Sequence, residues 1–374
     1  MPHQRADADR AVTEQAAMDR AVELAGRGLG SASPNPVVGC VLLGADGDVV
    51  GEGWHARAGG PHAEVLALRA AGPRAGGSTA VVSFEPCHHT GRTGPCTAAL
   101  LDAGVRRVVY AVPDPLDAAA GGGAALAAAG VDVEVGVGAG PAERVNAAWL
   151  HSIRVGRPYV TWKLAATLDG RTAAADGTSR WITSSQARAE VHLLRALSDA
   201  VVTGVGTVLA DDPALTVRDL DVLRGLPDRT WPLGPVPDGV RQPLRVVLDG
   251  SGRTPAAARV RDAAAQTLVL TAADVGRGVG GRGVDLRQVL AVLHERQVRS
   301  VLLEAGPTLA GAFVDACLVD RVVAYVTPAL LGQGAAALSA TVTGTTVDAA
   351  WRLELQDVAR VGPDVRLVAT PAPR

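Results

Sequence analysis

Apolar residues recur along this chain in two rhythms, one helical and one extended, and the switches between them mark its elements. From about Arg10 to Arg27 they repeat at helical spacing. Two short apolar runs follow, 37–43 and 49–54, joined by Gly44-Ala45-Asp46-Gly47-Asp48, which reads as a hairpin. Helix and strand then alternate: a helix from His62, a strand over 79–84, a helix from Cys96 to a stop at Gly104, a strand over 107–112, a helix near Ala124 and a strand over 131–135. This alternation predicts α/β layering, with helices covering a sheet. The segment 118–130 is almost entirely alanine and glycine and reads as a surface helix of biased composition. One connecting helix is expected over 142–153, ended by Gly156 and Pro158.

A new strand over 159–164 begins the second half, followed by Asp169-Gly170-Arg171 and a helix from Ser184 that turns Val191, Leu194 and Leu197 to one side. Strands are expected at 200–203, 244–248, 267–270, 300–303 and 321–326. The boundary between two domains is placed at the Gly-Arg-Pro break, giving 1–156 and 157–374. Between the last two strands, Glu304-Ala305-Gly306-Pro307-Thr308 runs from strand through glycine into a helix start, where backbone N–H groups suit a dinucleotide pyrophosphate. A plain connection is the simpler reading of that turn alone, because a G-x-G-x-x-G fingerprint is absent and Gly204-Val205-Gly206 lacks the third glycine.

Length and composition narrow the function classes. At 374 residues the chain has room for two cores. Its net charge is −2 with both signs interspersed, so no basic face points to nucleic acid, and small molecules are the expected partners. Its four cysteines are too few for a disulfide framework and fit a reducing cytosol; Cys40 and Cys317 read as buried core. Neither a signal-peptide pattern nor an apolar run of membrane-spanning length is seen, so a soluble protein is expected, with a homo-oligomer allowed.

The remaining cysteines carry the sharpest chemistry. His62-Ala63-Glu64, Glu85-Pro86-Cys87 and Pro95-Cys96 offer one imidazole and two thiolates, three zinc ligands that leave a fourth position for water. Glu64 is spaced to lie near the metal without binding it and is free to move protons, the division of labour of a nucleobase deaminase. Proline before both His62 and Cys96 places these ligands at helix N-termini, whose dipoles favour thiolate. A closed structural zinc site completed by His88 or His89 is the competing reading; a glutamate free to act as a base argues against it.

These residues, together with Asn35-Pro36-Val37-Val38-Gly39, Gly53-Trp54-His55, Gly91-Arg92-Thr93, Lys163 through Leu168-Asp169-Gly170-Arg171, Leu209-Ala210-Asp211-Asp212-Pro213 and Glu304-Ala305-Gly306-Pro307, resemble the RibD family of bifunctional riboflavin biosynthesis enzymes along nearly the whole chain. The resemblance implies a cytidine-deaminase-like three-layer α/β domain followed by a dihydrofolate-reductase-like α/β domain. It implies hydrolysis of the 2-amino group of 2,5-diamino-6-ribosylamino-4(3H)-pyrimidinone 5′-phosphate, then NADPH reduction of the ribosyl group to ribityl. Zinc and NADPH are the implied cofactors.

Matching family positions assign Asn35, His55, His89 and Arg92 to the deaminase substrate, with Asn35 on the ring edge and His55 and Arg92 on the ribose phosphate. They assign Ser179, Arg195 and Arg218 to the reductase substrate. Lys163, Asp169 and Glu304 lie at or just beyond strand ends where such a site would gather them, and the proton donor and cation needed as the ribosyl ring opens at C1′ point to Lys163 and Glu304, with Glu304 also at the substrate. Ala165, Trp181, Thr207, Asp211, Gly306, Pro307, Thr308, Leu309, Ala310, Gly311 and Ala312 are assigned to NADPH. Plainer roles compete for some of these: Trp181 as core packing, Arg195 as a solvated helix residue, and Asp211-Asp212-Pro213 as a helix cap or turn. The chain departs from the family in reading Asp114-Pro115-Leu116-Asp117 where an asparagine contact is expected. A deaminase of another nucleobase fused to an unrelated reductase, and a zinc-binding protein without turnover, remain as alternatives.

Overall fold

The structure, a computed structural model, describes residues 2–89, 94–117, 119–218, 241–339 and 346–373, with side chains from residue 10 onward. Leaving 219–240 aside, the chain divides into two compact units, Met1–Val155 and Gly156–Arg374.

The first unit comprises α1 (Pro2–Gly26), β1 (Gly39–Leu43), β2 (Val49–Trp54), α2 (Ala63–Ala71), β3 (Thr79–Val82), α3 (Cys96–Asp102), β4 (Arg107–Tyr110), α4 (Gly122–Ala128), β5 (Asp132–Val135), α5 (Ala139–Val145) and α6 (Ala147–Val155). Its sheet runs β2-β1-β3-β4-β5, antiparallel through the hairpin and across β1–β3, then parallel. Because successive strand residues face opposite ways, β1 sends Cys40 and Leu42 into one core and Val41 and Leu43 into another. Ala63, Ala67, Leu100 and Leu126 from α2, α3 and α4 fill the first core. Met18, Trp149 and Leu150 from α1 and α6 fill the second. The result is the expected three-layer sandwich.

Two local features depart from the sequence reading. The connecting helix is broken into α5 and α6 at Asn146, which is buried and bonds both backbone groups of Val37, accepting its N–H at 2.9 Å and donating to its carbonyl at 2.9 Å. A buried amide that must satisfy a distant strand entry outweighs helix continuity. The alanine and glycine segment does form a helix, but its start is not surface: Gly122 and Gly123 are buried, and a Cβ at Gly122 would lie 1.8 Å from the Pro86 carbonyl oxygen.

The second unit comprises β6 (Tyr159–Thr167), β7 (Arg171–Ala173), α7 (Ser185–Ala196), β8 (Ala200–Gly204), α8 (Val205–Asp211), β9 (Leu244–Leu248), β10 (Thr267–Leu270), α9 (Ala272–Val275), α10 (Leu286–Glu295), β11 (Ser300–Leu303), α11 (Pro307–Asp315), β12 (Arg321–Thr327), β13 (Ala335–Ala336), β14 (Leu353–Val361) and β15 (Asp364–Pro371). The main sheet is ordered β10-β9-β8-β11-β6-β12-β15-β14, parallel from β10 to β12. Its central strands read as continuous apolar runs because helices cover both faces.

The antiparallel pair β14–β15 is not foreshadowed by hydrophobic alternation, because its buried positions mix polar Asp364 and Arg366 with apolar Val361, Val368 and Ala369. Buried Arg366 bonds Glu190 on α7 at 3.2 Å and Asp357 at 2.9 Å, and Asp364 accepts the Ser184 N–H at 2.8 Å. Cys317, expected in the core, is exposed beyond the end of α11 in a left-handed backbone conformation (φ 57°), which turns its side chain outward. Among the described residues no helix is long and apolar enough to cross a membrane.

Candidate active sites

In the first unit three donors converge. His62 is the N-cap of α2, Cys96 is the first residue of α3 after Pro95, and Cys87 lies on the segment leaving β3. His62 Nδ1 lies 3.2 Å from Cys96 Sγ and 3.5 Å from Cys87 Sγ, and the Cys96 N–H donates to Cys87 Sγ at 3.4 Å. Gly51 and Gly53 make this possible, since a Cβ at either would lie within 2.4 Å of a carbonyl oxygen of α2, at Ala67 and Ala63 respectively. Hydrogen bonds from Cys96 and then from His62 hold the Cys87 thiol down at about 4 despite burial, while the same partnership and burial push Cys96 up. Metal ligation needs thiolate, so a divalent cation bound here would displace the proton that Cys96 is disposed to keep.

An imidazole and two sulfurs, all within 4.8 Å of one another and with no fourth protein donor among the described residues, fit zinc in an open catalytic site. His88 does not close it; its Nδ1 sits 3.0 Å from the Thr97 hydroxyl. Glu64, second residue of α2, is 3 % exposed beside these donors, and burial raises its carboxyl above the usual range.

His55 differs from the expectation of a phosphate contact. It is 3 % exposed, its Nδ1 faces the Pro61 carbonyl at 3.1 Å, and its Nε2 faces Asn35 Nδ2 at 3.1 Å. The carbonyl requires Nδ1 to carry the proton, so Nε2 accepts from Asn35, and burial keeps the ring neutral. A neutral imidazole with both nitrogens engaged orients Asn35 and has no charge to offer a phosphate. His89 is exposed, and Arg92 lies outside the described residues.

Glu85 was not singled out from the sequence. Its carboxylate accepts the N–H groups of Asp114 at 2.9 Å, Gly121 at 3.1 Å and Gly123 at 3.0 Å, tying the segment that holds Leu116 to the strand end two residues before Cys87. The glycines at 121–123 were the available signal: Gly121 takes a left-handed backbone, Gly122 lets the backbone approach Pro86, and Gly123 lets it approach the Tyr110 ring.

The second unit holds a cleft of about 1470 Å³ at the C-terminal ends of its parallel strands. Lys163 projects into it from β6, Glu304 from just beyond β11 and Arg195 from the last turn of α7. Arg195 grips Glu304 with both arms, at 2.5 and 2.8 Å, and donates to the Thr216 carbonyl at 3.0 Å, so it is not a solvated helix residue. Burial alone would raise the Glu304 carboxyl, but Arg195 and then Lys163 hold it below its ordinary value. Burial lowers the Lys163 amine against the pull of Glu304.

Ala165, Ser179, Trp181, Thr207, Asp211, Arg218 and the start of α11 from Gly306 through Leu309, with Ala312, line the same cleft. Trp181 is 71 % exposed with the Arg188 guanidinium 4.4 Å from its ring centre, which rules out core packing. Ser179 Oγ lies 3.5 Å from Asp211 Oδ1. Ala310 and Gly311, expected at the cofactor, face the core instead: helical periodicity turns them away from the wall formed by Leu309 and Ala312. Asp169 is likewise absent from the lining and ties its turn to the distant segment after β12, accepting from the Thr167 hydroxyl at 2.5 Å and from the N–H groups of Leu331 at 3.2 Å and Gly332 at 2.6 Å.

His192 went unnoticed in the sequence although it precedes Arg195 by three residues on one helix face. It lines the cleft with Nδ1 3.1 Å from the Thr216 carbonyl, and burial, then Arg195 and Arg218, lower it to about 4. A cleft of this size, with a glycine-capped helix start and a facing indole, fits a dinucleotide.

Comparison with known proteins matches each unit to a family. Residues 11–112 match the family model of the cytidine and deoxycytidylate deaminase zinc-binding region, and residues 158–367 match the RibD C-terminal domain. The chain is 44 % identical over 362 residues to the riboflavin biosynthesis protein RibD of Escherichia coli K12, covering 94 % of this chain and 97 % of that one. It is 44 % identical over 355 residues to RibD of Mycobacterium tuberculosis H37Rv, covering 94 % and 95 %. Among solved structures, Acinetobacter baumannii RibD superposes with a TM-score of 0.85 at 42 % identity, covering 97 % of this chain and 100 % of that one. The Thermotoga maritima diaminohydroxyphosphoribosylaminopyrimidine deaminase/5-amino-6-(5-phosphoribosylamino)uracil reductase gives 0.82 at 30 % identity with the same coverage. With both family models matched in order and relatives of this similarity along nearly the whole length, the chain belongs to the RibD family of bifunctional riboflavin biosynthesis proteins.

Proposed function

We infer that this chain carries out two consecutive steps of riboflavin biosynthesis on small pyrimidine ribosyl phosphates. Residues 1–156 deaminate 2,5-diamino-6-ribosylamino-4(3H)-pyrimidinone 5′-phosphate, and residues 157–374 reduce the ribosyl group of the resulting aminouracil. The observation that carries the reading is the open His62, Cys87, Cys96 donor set with a buried, non-ligating glutamate beside it, in a chain whose second unit gathers Lys163, Arg195 and Glu304 in one cleft.

Zinc held by His62, Cys87 and Cys96 supplies the Lewis acidity that makes water a nucleophile near neutral pH. Glu64 handles the protons. Its raised affinity for a proton suits a group that accepts one from water and delivers it to the departing amino group. Asn35, fixed by His55, presents its amide to the pyrimidine edge, and His89 and Arg92 complete the substrate contacts.

NADPH supplies the hydride in the second step. Gly306, Pro307, Thr308, Leu309 and Ala312, with Ala165, Trp181, Thr207 and Asp211, form its wall. Lys163 stands where it can place positive charge or a proton near C1′ as the ribosyl ring opens. Glu304, kept ionised by Arg195, attracts that amine across the cleft and contacts the substrate, which Ser179, Arg195 and Arg218 also hold. Ammonia release from the diaminopyrimidine phosphate, followed by NADPH oxidation with the product, tests both halves in one preparation. Absence of either signal removes the corresponding activity.

A further inference from the structure

The cleft of the second unit carries positive charge at a wall remote from Lys163 and Glu304. Strands β6, β11, β8 and β9 stand side by side in that order and run parallel, so their C-terminal ends form one row. Lys163 and Glu304 occupy the β6 and β11 end of the row. Three strand spacings separate β6 from β9, about 14 Å. A dinucleotide with its nicotinamide at Lys163 therefore carries its adenosine half toward β9.

Just past β9 the cleft is lined by Leu248, Gly250 and Arg253, joined by Arg282 and Gly283 from the segment that follows α9. The two segments meet at Gly250, where a Cβ would lie 2.9 Å from the Gly283 carbonyl oxygen. The turn that presents Arg253 is rigidly built: Asp249, fully buried, accepts the Thr254 N–H at 2.6 Å and hydroxyl at 2.7 Å. Its other oxygen, Oδ1, is buried as well, so the carboxylate has no accessible oxygen to offer a ribose 2′-hydroxyl, the acceptor role an acidic residue after such a strand takes in NAD sites. The guanidinium groups of Arg253 and Arg282 are exposed and bond to no other described residue. By contrast, Arg195 is bound to Glu304 and Arg180 to the Asp211 carbonyl. Guanidinium forks that line a cleft and bond to no described side chain match a phosphate monoester.

We propose that Arg253 and Arg282 bind the 2′-phosphate of NADPH and give the reductase its preference over NADH. This rests on the reductase reading above. The test titrates the zinc-loaded full chain calorimetrically with adenosine 2′,5′-bisphosphate and adenosine 5′-monophosphate, and measures KM for NADPH and NADH. The wild-type chain binds the bisphosphate more tightly. In Arg253→Ala/Arg282→Ala, bisphosphate affinity falls roughly 10- to 100-fold, the scale of losing charge-assisted bonds, while the monophosphate changes less than about twofold. KM for NADPH rises with it, KM for NADH and kcat hold, and ammonia release is unchanged, which reports an intact chain. Equal losses for both nucleotides, or no loss for either, overturn the proposal. Failure of the wild-type chain to oxidise NADPH with the aminouracil phosphate overturns the reductase reading, and the proposal with it.

Discussion

At the scale of single residues, the two sites set groups with opposed protonation against each other. Glu64 is buried with a raised carboxyl, so Glu64→Gln retains volume and hydrogen bonding but removes the proton carrier. Zinc content is expected to stay near one per chain while deamination falls by roughly 10²–10⁴, and reduction to be untouched, as read by metal analysis and the two rate assays. Cys87→Ser removes a thiolate ligand and is expected to lose both zinc and deamination, whereas Cys317→Ser, at an exposed position, leaves both intact. In the second unit Lys163→Ala is expected to slow single-turnover NADPH oxidation far more than it weakens NADPH binding, because the amine sits beside Glu304 rather than on the α11 wall. His192 carries a pH prediction. Its folded pKa of about 4 lies below the ordinary 6.5, so folding favours the neutral ring; the stability it contributes is present above pH 6.5 and lost as pH falls toward 4. Thermal melts across that range should show a smaller acid loss in His192→Gln than in the wild type, and identical acid profiles would remove this role.

At the scale of elements, backbone groups far apart in the chain are joined through single side chains. Glu85 uses both oxygens on three N–H groups of 114–123, and Glu85→Gln turns an amide donor toward one of them. The expected outcome is a raised KM for deamination with zinc retained and kcat less affected; an unchanged KM would show that the segment is held without it. Asn146 plays a similar part at the α5–α6 break, where its bonds to Val37 fix the strand entry next to Asn35 and Pro36. The buried Glu190–Arg366 pair fastens α7, which carries Arg195, to β15. Removing one partner of such a buried pair costs about 3–5 kcal/mol, since a charge is left uncompensated.

At the scale of the whole molecule, each unit buries its own core. The large cluster around Val202, Val246, Leu290 and Phe313 draws on residues of the second unit alone. Residues from Arg157 onward, expressed alone, are therefore expected to fold and to reduce the aminouracil phosphate with NADPH in the absence of zinc. Aggregation of that fragment, or a need for zinc in its turnover, would show that the halves are not separable.

Local sequence was sufficient for most elements and for the metal donors. Hydrophobic rhythm, glycine and proline stops, and ligands placed at helix openings are all properties of neighbouring residues, and His62, Cys87 and Cys96 do meet where those openings converge. Tertiary structure alone decided what each polar side chain faces. It made His55 a neutral prop for Asn35, turned Ala310 and Gly311 into the core, used Asp169 to tie its turn to the segment at 331–332, and brought Glu85 and His192 into the sites. The buried polar positions of β15, Asp364 and Arg366, escaped the hydrophobic pattern for the same reason. A charge or amide is content in water or against a partner, and whether a distant segment supplies that partner is settled only when the chain has folded.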